Sequence, residues 1–195
     1  MQYSLTPYSS GVEPWVWWEK AFSDQELDWL QEKALNASQR AQVGGAQQSE
    51  DLEKIRRSTL FWLGNDPETV WVYERLAHVV ESLNSEFYRF DLTGFGEKLQ
   101  LTNYDSGNKG MYGWHQDYGG SKTVSRKLSV VLQLTDPADY EGGNLQMLTS
   151  GEPQNVTKQR GFIAVFPSYT LHQVTPVVAG SRQSLVAWVS GPPFK

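Results

Sequence analysis

From residue 97 onward the chain is a succession of short apolar runs punctuated by glycine and proline: "KLQLTNY", "KLSVVLQLT", "GNLQML", "GFIAVFP", "LHQVTPVV" and "QSLVAWVS". Each is rich in Leu, Val, Phe or Thr, and turn residues separate one from the next. Six or more short strands at this spacing predict an all-β sandwich or barrel. Upstream the texture is helical. "FSDQELDWLQEKALNA" predicts a first helix, with Ser23 and Glu26 as a capping box and Leu27, Leu30 and Leu35 as its apolar face. "STLFWLG" predicts a short strand. "NDPETVWVYERLAHVVESLNSEF" predicts the strongest helix, capped by Asp66 with Pro67 at the first helical position. Its apolar face is Val72, Leu76, Val79, Val80 and Leu83, and His78 within it reads as structural.

Residues 36–54, "NASQRAQVGGAQQSEDLEK", are polar with no apolar period. They predict a mobile loop, which in an enzyme is a lid candidate. The expected organisation is a single domain over 1–195, with helical support to about residue 95 and a β core over about 96–191. A chain of 195 residues is long enough for one substantial core.

Composition narrows the function classes. With no cysteine the chain has no disulfide, no thiol nucleophile and no cysteine-based zinc or iron–sulfur site. The absence of cysteine and of a basic-then-apolar N-terminal segment points to the cytoplasm. No run approaches the length of a membrane-spanning helix. A net charge of -5 counts against nucleic acid as a partner. Aromatics at 13%, eight of them tryptophan, suggest a core or cleft built from large flat side chains.

The chemistry concentrates in "GMYGWHQDYGGSK". If this stretch is extended, His115 and Asp117 point to the same side and can converge on one point. A third ligand is available in "FPSYTLHQVTPV", where His172 opens another predicted strand. Two histidines and a carboxylate compose the facial triad of non-haem Fe(II) oxygenases, which leaves coordination positions open for substrates. Ten residues past His172 stands Arg182. A strand, a turn and the next strand would return its guanidinium beside the histidine, where it could hold the far carboxylate of a 2-oxo diacid.

The ordered set "NYDSGNKGMYGWHQD", "LTDPADYEGGNL" and "GFIAVFPSYTLHQVTPVVAGSR" resembles the Fe(II)/2-oxoglutarate-dependent dioxygenases, in particular the prolyl hydroxylase branch with its PKHD-type hydroxylases. "IRRSTLFWL" and the following helix resemble the same layout, so the likeness covers roughly residues 55–190. The resemblance implies a double-stranded β-helix, or jelly roll, with supporting N-terminal helices. It implies Fe(II) on His115, Asp117 and His172, 2-oxoglutarate held at its distal carboxylate by Arg182, O2 as cosubstrate and ascorbate as a candidate reductant. Tyr104 matches a tyrosine lining the cosubstrate pocket, Tyr112 one near the substrate, and Trp188 a tryptophan close to the metal, while Ser184 could add a hydroxyl to the carboxylate. One departure stands out: some prolyl hydroxylases supply a further cosubstrate tyrosine from the strand that here reads "KLSVVLQLT", and Gln133 stands near its place.

Around this site Tyr112, Trp114 and Tyr118 are candidate walls of a substrate cleft. Arg126 and Lys127 could meet substrate or simply end a solvated strand. The implied reaction hydroxylates an unactivated C–H bond with release of succinate and CO2. A prolyl residue in a peptide or protein is the first substrate choice, with free proline, another small molecule or an alkylated nucleobase as alternatives. A non-catalytic jelly-roll binder predicts loss of a ligand or of the arginine, and a zinc hydrolase predicts His-Glu-x-x-His or cysteines. The sequence shows neither.

Overall fold

The computed structural model describes residues 12–36, 39–40, 54–120 and 123–194, with the side chains of 39–40 left aside. Two antiparallel sheets carry the fold. The larger has nine strands: β1 (Val16–Trp18), β12 (Ile163–Pro167), β8 (Arg126–Gln133), β14 (Val177–Ser190), β6 (Leu99–Asp105), β4 (Thr59–Leu63) and β2 (Gln39–Arg40) in spatial order, with β5 (Gly94–Phe95) and β9 (Tyr140–Gly142) also pairing with β14. The smaller has five, in the order β11 (Gln154–Asn155), β10 (Leu145–Leu148), β13 (Leu171–Val174), β7 (Met111–His115) and β3 (Arg56–Arg57). Helices α1 (Asp24–Leu35) and α2 (Val70–Leu83) complete the mostly-β architecture.

Side chains alternate across a strand with period two, and that alternation sorts the large sheet into two faces. Leu128, Val130 and Leu132 of β8, Leu185, Ala187 and Val189 of β14, and Leu99 and Leu101 of β6 pack in one cluster with Leu27, Leu30, Leu76, Val79 and Val80 of the helices. The intervening residues, Ser129, Val131 and Gln133 of β8, and Arg182, Ser184, Val186 and Trp188 of β14, take the other face. There Tyr104, Val131, Phe166 and Val174 join Leu145 and Met147 in a second cluster between the sheets.

The helices form for the predicted reasons, with two corrections. Ser23 does cap α1, and the Glu26 carboxylate returns to the Ser23 backbone N–H at 2.7 Å. Leu35, expected on the apolar face, is 50% exposed, and Ala34 is buried instead. Helix α2 begins at Val70, not at Pro67. Asp66 closes the turn before it, its carboxylate accepting from the Glu68 N–H at 3.0 Å and its backbone carbonyl from Val70 at 2.8 Å. The five expected core residues of α2 are all buried, and His78 packs edge-on against Trp18 at 5.9 Å, a structural contact.

The segment read as helical support holds the strand expected from "STLFWLG", β4, which joins β6, and contributes two more: β1 extends the large sheet beyond β12, and β3 joins β7. These are pieces of two to five residues, too short to show a period. The proposed lid, 36–54, lies outside the described residues except for Asn36, the 39–40 strand and Lys54. Among the described residues no helix is long and apolar enough to cross a membrane.

Candidate active site

The polar face of the large sheet and the facing small sheet enclose a cavity of about 610 Å³. His115, Asp117 and His172 stand together on its wall, their ligand atoms all within 4.8 Å of one another. His115 ends β7 and His172 lies directly across from it on β13, with ring centroids 4.1 Å apart. Asp117 reaches them from the turn that follows, where its N–H and that of Tyr118 both donate to the Ser168 carbonyl, at 2.9 and 3.0 Å. So the two-residue spacing works through a strand end and an anchored turn rather than one continuous extended segment.

Each imidazole has its orientation set by its own strand. His115 Nδ1 lies 2.8 Å from the Gly113 carbonyl and His172 Nδ1 2.9 Å from the Thr170 carbonyl. A carbonyl only accepts, so Nδ1 carries a proton and Nε2 is the nitrogen left to face the cavity. Those Nε2 atoms face the carboxylate at 3.7 Å (His115 to Oδ1) and 3.6 Å (His172 to Oδ2). Ser129 donates its hydroxyl to Asp117 Oδ2 at 2.7 Å and sits 3.0 Å from the Ser168 hydroxyl. Burial, and next the neighbouring His172, push the His115 pKa down to about 3, which keeps the ring neutral near pH 7. Burial works against the Asp117 carboxylate, yet the two imidazoles and Ser129 outweigh it and hold its pKa below the ordinary value. Two imidazole nitrogens and one carboxylate, converging on the same space with their outer atoms hydrogen-bonded, fit a divalent transition metal.

Arg182 occupies a second part of the cavity and is 1% exposed. The route there differs from the expected one. The turn falls at Thr175 and Pro176, and β14 then runs unbroken past Gly180, where φ is 67° and a side chain would strike the Asp139 carbonyl. Beyond this bend the strand leaves its pairing with β9 and enters the large sheet between β6 and β8. Arg182 Nη2 donates to Gln133 Oε1 at 2.9 Å, Nη1 lies 3.5 Å from the Ser184 hydroxyl, and Nε has no partner. Among the described residues no carboxylate pairs with this guanidinium. Gln133, noted in the sequence as a departure, therefore touches the arginine itself.

The other sequence-predicted residues divide. Tyr104, Ser184 and Trp188 line the cavity, as do Tyr112 and Tyr118. Tyr112 stacks on His115 at 3.5 Å, and burial pushes its pKa up to about 12, so it remains a phenol. The Trp188 indole N–H is buried on the Asp117 side of the cavity and helps hold that carboxyl below its ordinary pKa. Trp114, by contrast, is 39% exposed and is not part of the wall. A bulge between β7 and β13, which sets Tyr112 opposite Val174 and His115 opposite His172, puts Tyr112 and His115 on the cavity side and turns Trp114 out. Arg126 lines the cavity but is engaged: Glu97 holds it through two bonds of 2.6 and 2.7 Å, and its guanidinium lies 3.8 Å from the Trp188 ring centre. Lys127 is no solvated strand end, being buried with its ammonium 3.4 Å from the Phe194 ring centre.

Two kinds of site residue escaped sequence reading. Ser129 and Ser168, which hold Asp117, look like ordinary strand and turn serines. Arg56, on β3, lines the cavity from a strand of two residues.

The 2OG-Fe(II) oxygenase superfamily profile matches residues 99–190. A PKHD-type hydroxylase of Nitrosomonas europaea is 32% identical over 162 residues, covering 79% of this chain and 64% of that protein. The chain spans only 36% and 35% of the length of PKHD-type hydroxylases from two Synechococcus strains and 42% of one from Prochlorococcus marinus. Among solved structures, a Pseudomonas putida prolyl-4-hydroxylase superposes with a TM-score of 0.70 at 23% identity, covering 91% of this chain and 92% of that one. A Trichoplax adhaerens prolyl hydroxylase, solved with a hypoxia-inducible-factor peptide fragment, gives 0.72 at 18% identity, covering 91% and 84%. These two likenesses are of fold. Over residues 99–190 the chain thus carries the 2OG-Fe(II) oxygenase superfamily pattern, with PKHD-type hydroxylases as sequence relatives and prolyl hydroxylases as structural neighbours.

Proposed function

We propose that the chain is a single Fe(II)- and 2-oxoglutarate-dependent dioxygenase domain on a double-stranded β-helix, hydroxylating a prolyl residue of a peptide or protein with release of succinate and CO2. One observation carries the reading: a His-Asp-His triad and a buried arginine without a protein carboxylate share one cavity. An unpaired buried guanidinium costs several kcal/mol, roughly, unless an anion meets it, and a diacid cosubstrate supplies one. The prolyl choice rests on the PKHD-type relatives and the fold neighbours. Ascorbate as reductant rests on family resemblance alone.

His115, Asp117 and His172 would hold Fe(II), which when bound supplies the chemistry that couples O2 to oxidation of a C–H bond. The protein's own part is orientation and exclusion of water. Ser129 and Ser168 fix the carboxylate. Arg182, with the Ser184 hydroxyl beside it and the Tyr104 ring 5.5 Å away, would take the distal carboxylate of 2-oxoglutarate, Gln133 standing near the place the family resemblance gives to a tyrosine in some prolyl hydroxylases. Tyr112, Tyr118 and Trp188 line the space next to the triad, where they would shield it from water. The test is Fe(II)-dependent succinate release from 2-oxoglutarate, with mass spectrometry for one added oxygen on proline-containing peptides, free proline and alkylated oligonucleotides. Oxygen is expected on a prolyl peptide; oxidation of the oligonucleotide alone overturns the substrate assignment, and no succinate under any condition overturns the activity.

A further inference from the structure

We propose that Arg56 is a specificity-determining residue that binds a carboxylate carried by the substrate itself, an inference that rests on the dioxygenase reading and names the chemistry of its substrate. Arg56 sits on β3 at the edge of the small sheet, opposite Tyr112 of β7. It is 8% exposed and lines the same cavity as the triad. Its Nε donates to the Ser58 hydroxyl at 3.0 Å, and its guanidinium carbon lies 4.6 Å from the centre of the Tyr112 ring. That ring in turn stacks on His115. The charge is therefore held within one aromatic ring of a metal-ligating position.

Arg56 shares with Arg182 a lack that sets both apart from the ion-paired arginines. Arg75 meets Glu26 at 3.0 Å, Arg126 meets Glu97 at 2.6 Å, and Arg160 meets Asp28 at 2.6 Å. Among the described residues Arg56 has no carboxylate partner, and no acceptor engages its two terminal nitrogens. A largely buried guanidinium that lines the cavity without an ion pair is placed to receive an anion from the space it faces. The two free nitrogens form the planar fork that matches a carboxylate through two parallel bonds. Arg182 projects from the large sheet beside Tyr104, and Arg56 from the small sheet beside Tyr112, so the two cations address the cavity from different sheets. With the cosubstrate's carboxylate assigned to Arg182, the anion at Arg56 belongs to the second reactant. For a prolyl substrate it is either an acidic side chain next to the proline or the α-carboxylate of a terminal or free proline.

The test measures binding rather than turnover. Protein loaded with Zn(II), which does not turn over, and 2-oxoglutarate is titrated by calorimetry with N-acetyl-Pro-Asp-amide against N-acetyl-Pro-Asn-amide, and with proline against prolinamide. The acid of at least one pair is expected to bind at least about tenfold tighter than its amide, the smallest effect of a charge-assisted pair. The pair that shows the preference identifies the source of the carboxylate. Arg56→Gln is expected to erase the preference and Arg56→Lys to keep part of it, both leaving 2-oxoglutarate affinity unchanged. Equal or undetectable binding of acids and amides by the unaltered protein overturns the proposal. So does a preference that survives Arg56→Gln, or a loss of 2-oxoglutarate affinity in that variant. If Arg56→Gln fails to fold, Arg56→Lys decides: an acid-over-amide ratio unchanged from the parent counts against the role. Succinate release with Fe(II) is scored separately, so loss of the dioxygenase reading would appear there while the carboxylate preference stood or fell on its own.

Discussion

The two apolar clusters on either face of the large sheet are built to different standards. The one under the helices is aliphatic and complete: Leu30, Leu76, Leu128, Leu132 and Leu185 are fully buried beside one another. The one between the sheets mixes Phe166 and Met147 with Tyr104, and borders His172, Asp117, Arg182 and Ser184, all buried and ionisable or polar. The same strands feed both. The difference shows that this fold places stability on one parity of each strand and chemistry on the other, a division that mutation can expose.

The helix side should carry the larger stability effect. Leu76→Ala is expected to cost about 2–5 kcal/mol in urea unfolding, as a large-to-small change at a fully buried site, while the folded fraction keeps its 2-oxoglutarate requirement. Arg182→Met should do the reverse. Its expected effect is a rise of about a hundredfold in the 2-oxoglutarate needed for half-maximal succinate release, the loss of a charge-assisted pair. Unfolding of the ligand-free variant should show no loss of stability, because an uncompensated buried charge has been removed. A large stability loss in Arg182→Met would erase the distinction between the two faces.

A further effect is a pH dependence. His115 has a folded-state pKa of about 3 against an ordinary 6.5. Between those values the unfolded chain binds a proton that the folded protein refuses. Stability of the metal-free protein is therefore expected to be highest, in this respect, above pH 6.5 and to fall as pH drops toward 3, by at most about 1.4 kcal/mol per pH unit. Urea midpoints from pH 7 to pH 4 check it, and His115→Asn should flatten the slope.

Much of this was legible in the residues because period and spacing are local. The six short apolar runs became strands, α2 buried the face its period predicted, and "WHQDY" with His172 and Arg182 met in one cavity. What was not legible depends on partners distant in the chain. Trp114 looked like a cleft wall until a bulge against β13 turned it outward. Arg126 looked free until Glu97, 29 positions away, claimed it. Arg56 drew no reading of its own from the sequence, and only pairing with β7 sets it beside Tyr112. Short strands carry too few residues to show a period, so β1, β3 and β7 emerged only from their pairings.

The most direct test of the central claim is Fe(II)-dependent release of succinate from 2-oxoglutarate by the parent protein and by Asp117→Ala, with metal content measured on both. The account predicts that the variant folds, loses bound iron and releases no succinate above the metal-free background. Turnover in Asp117→Ala at the parent rate would contradict it, because the carboxylate that both histidines face would then have no part in the reaction.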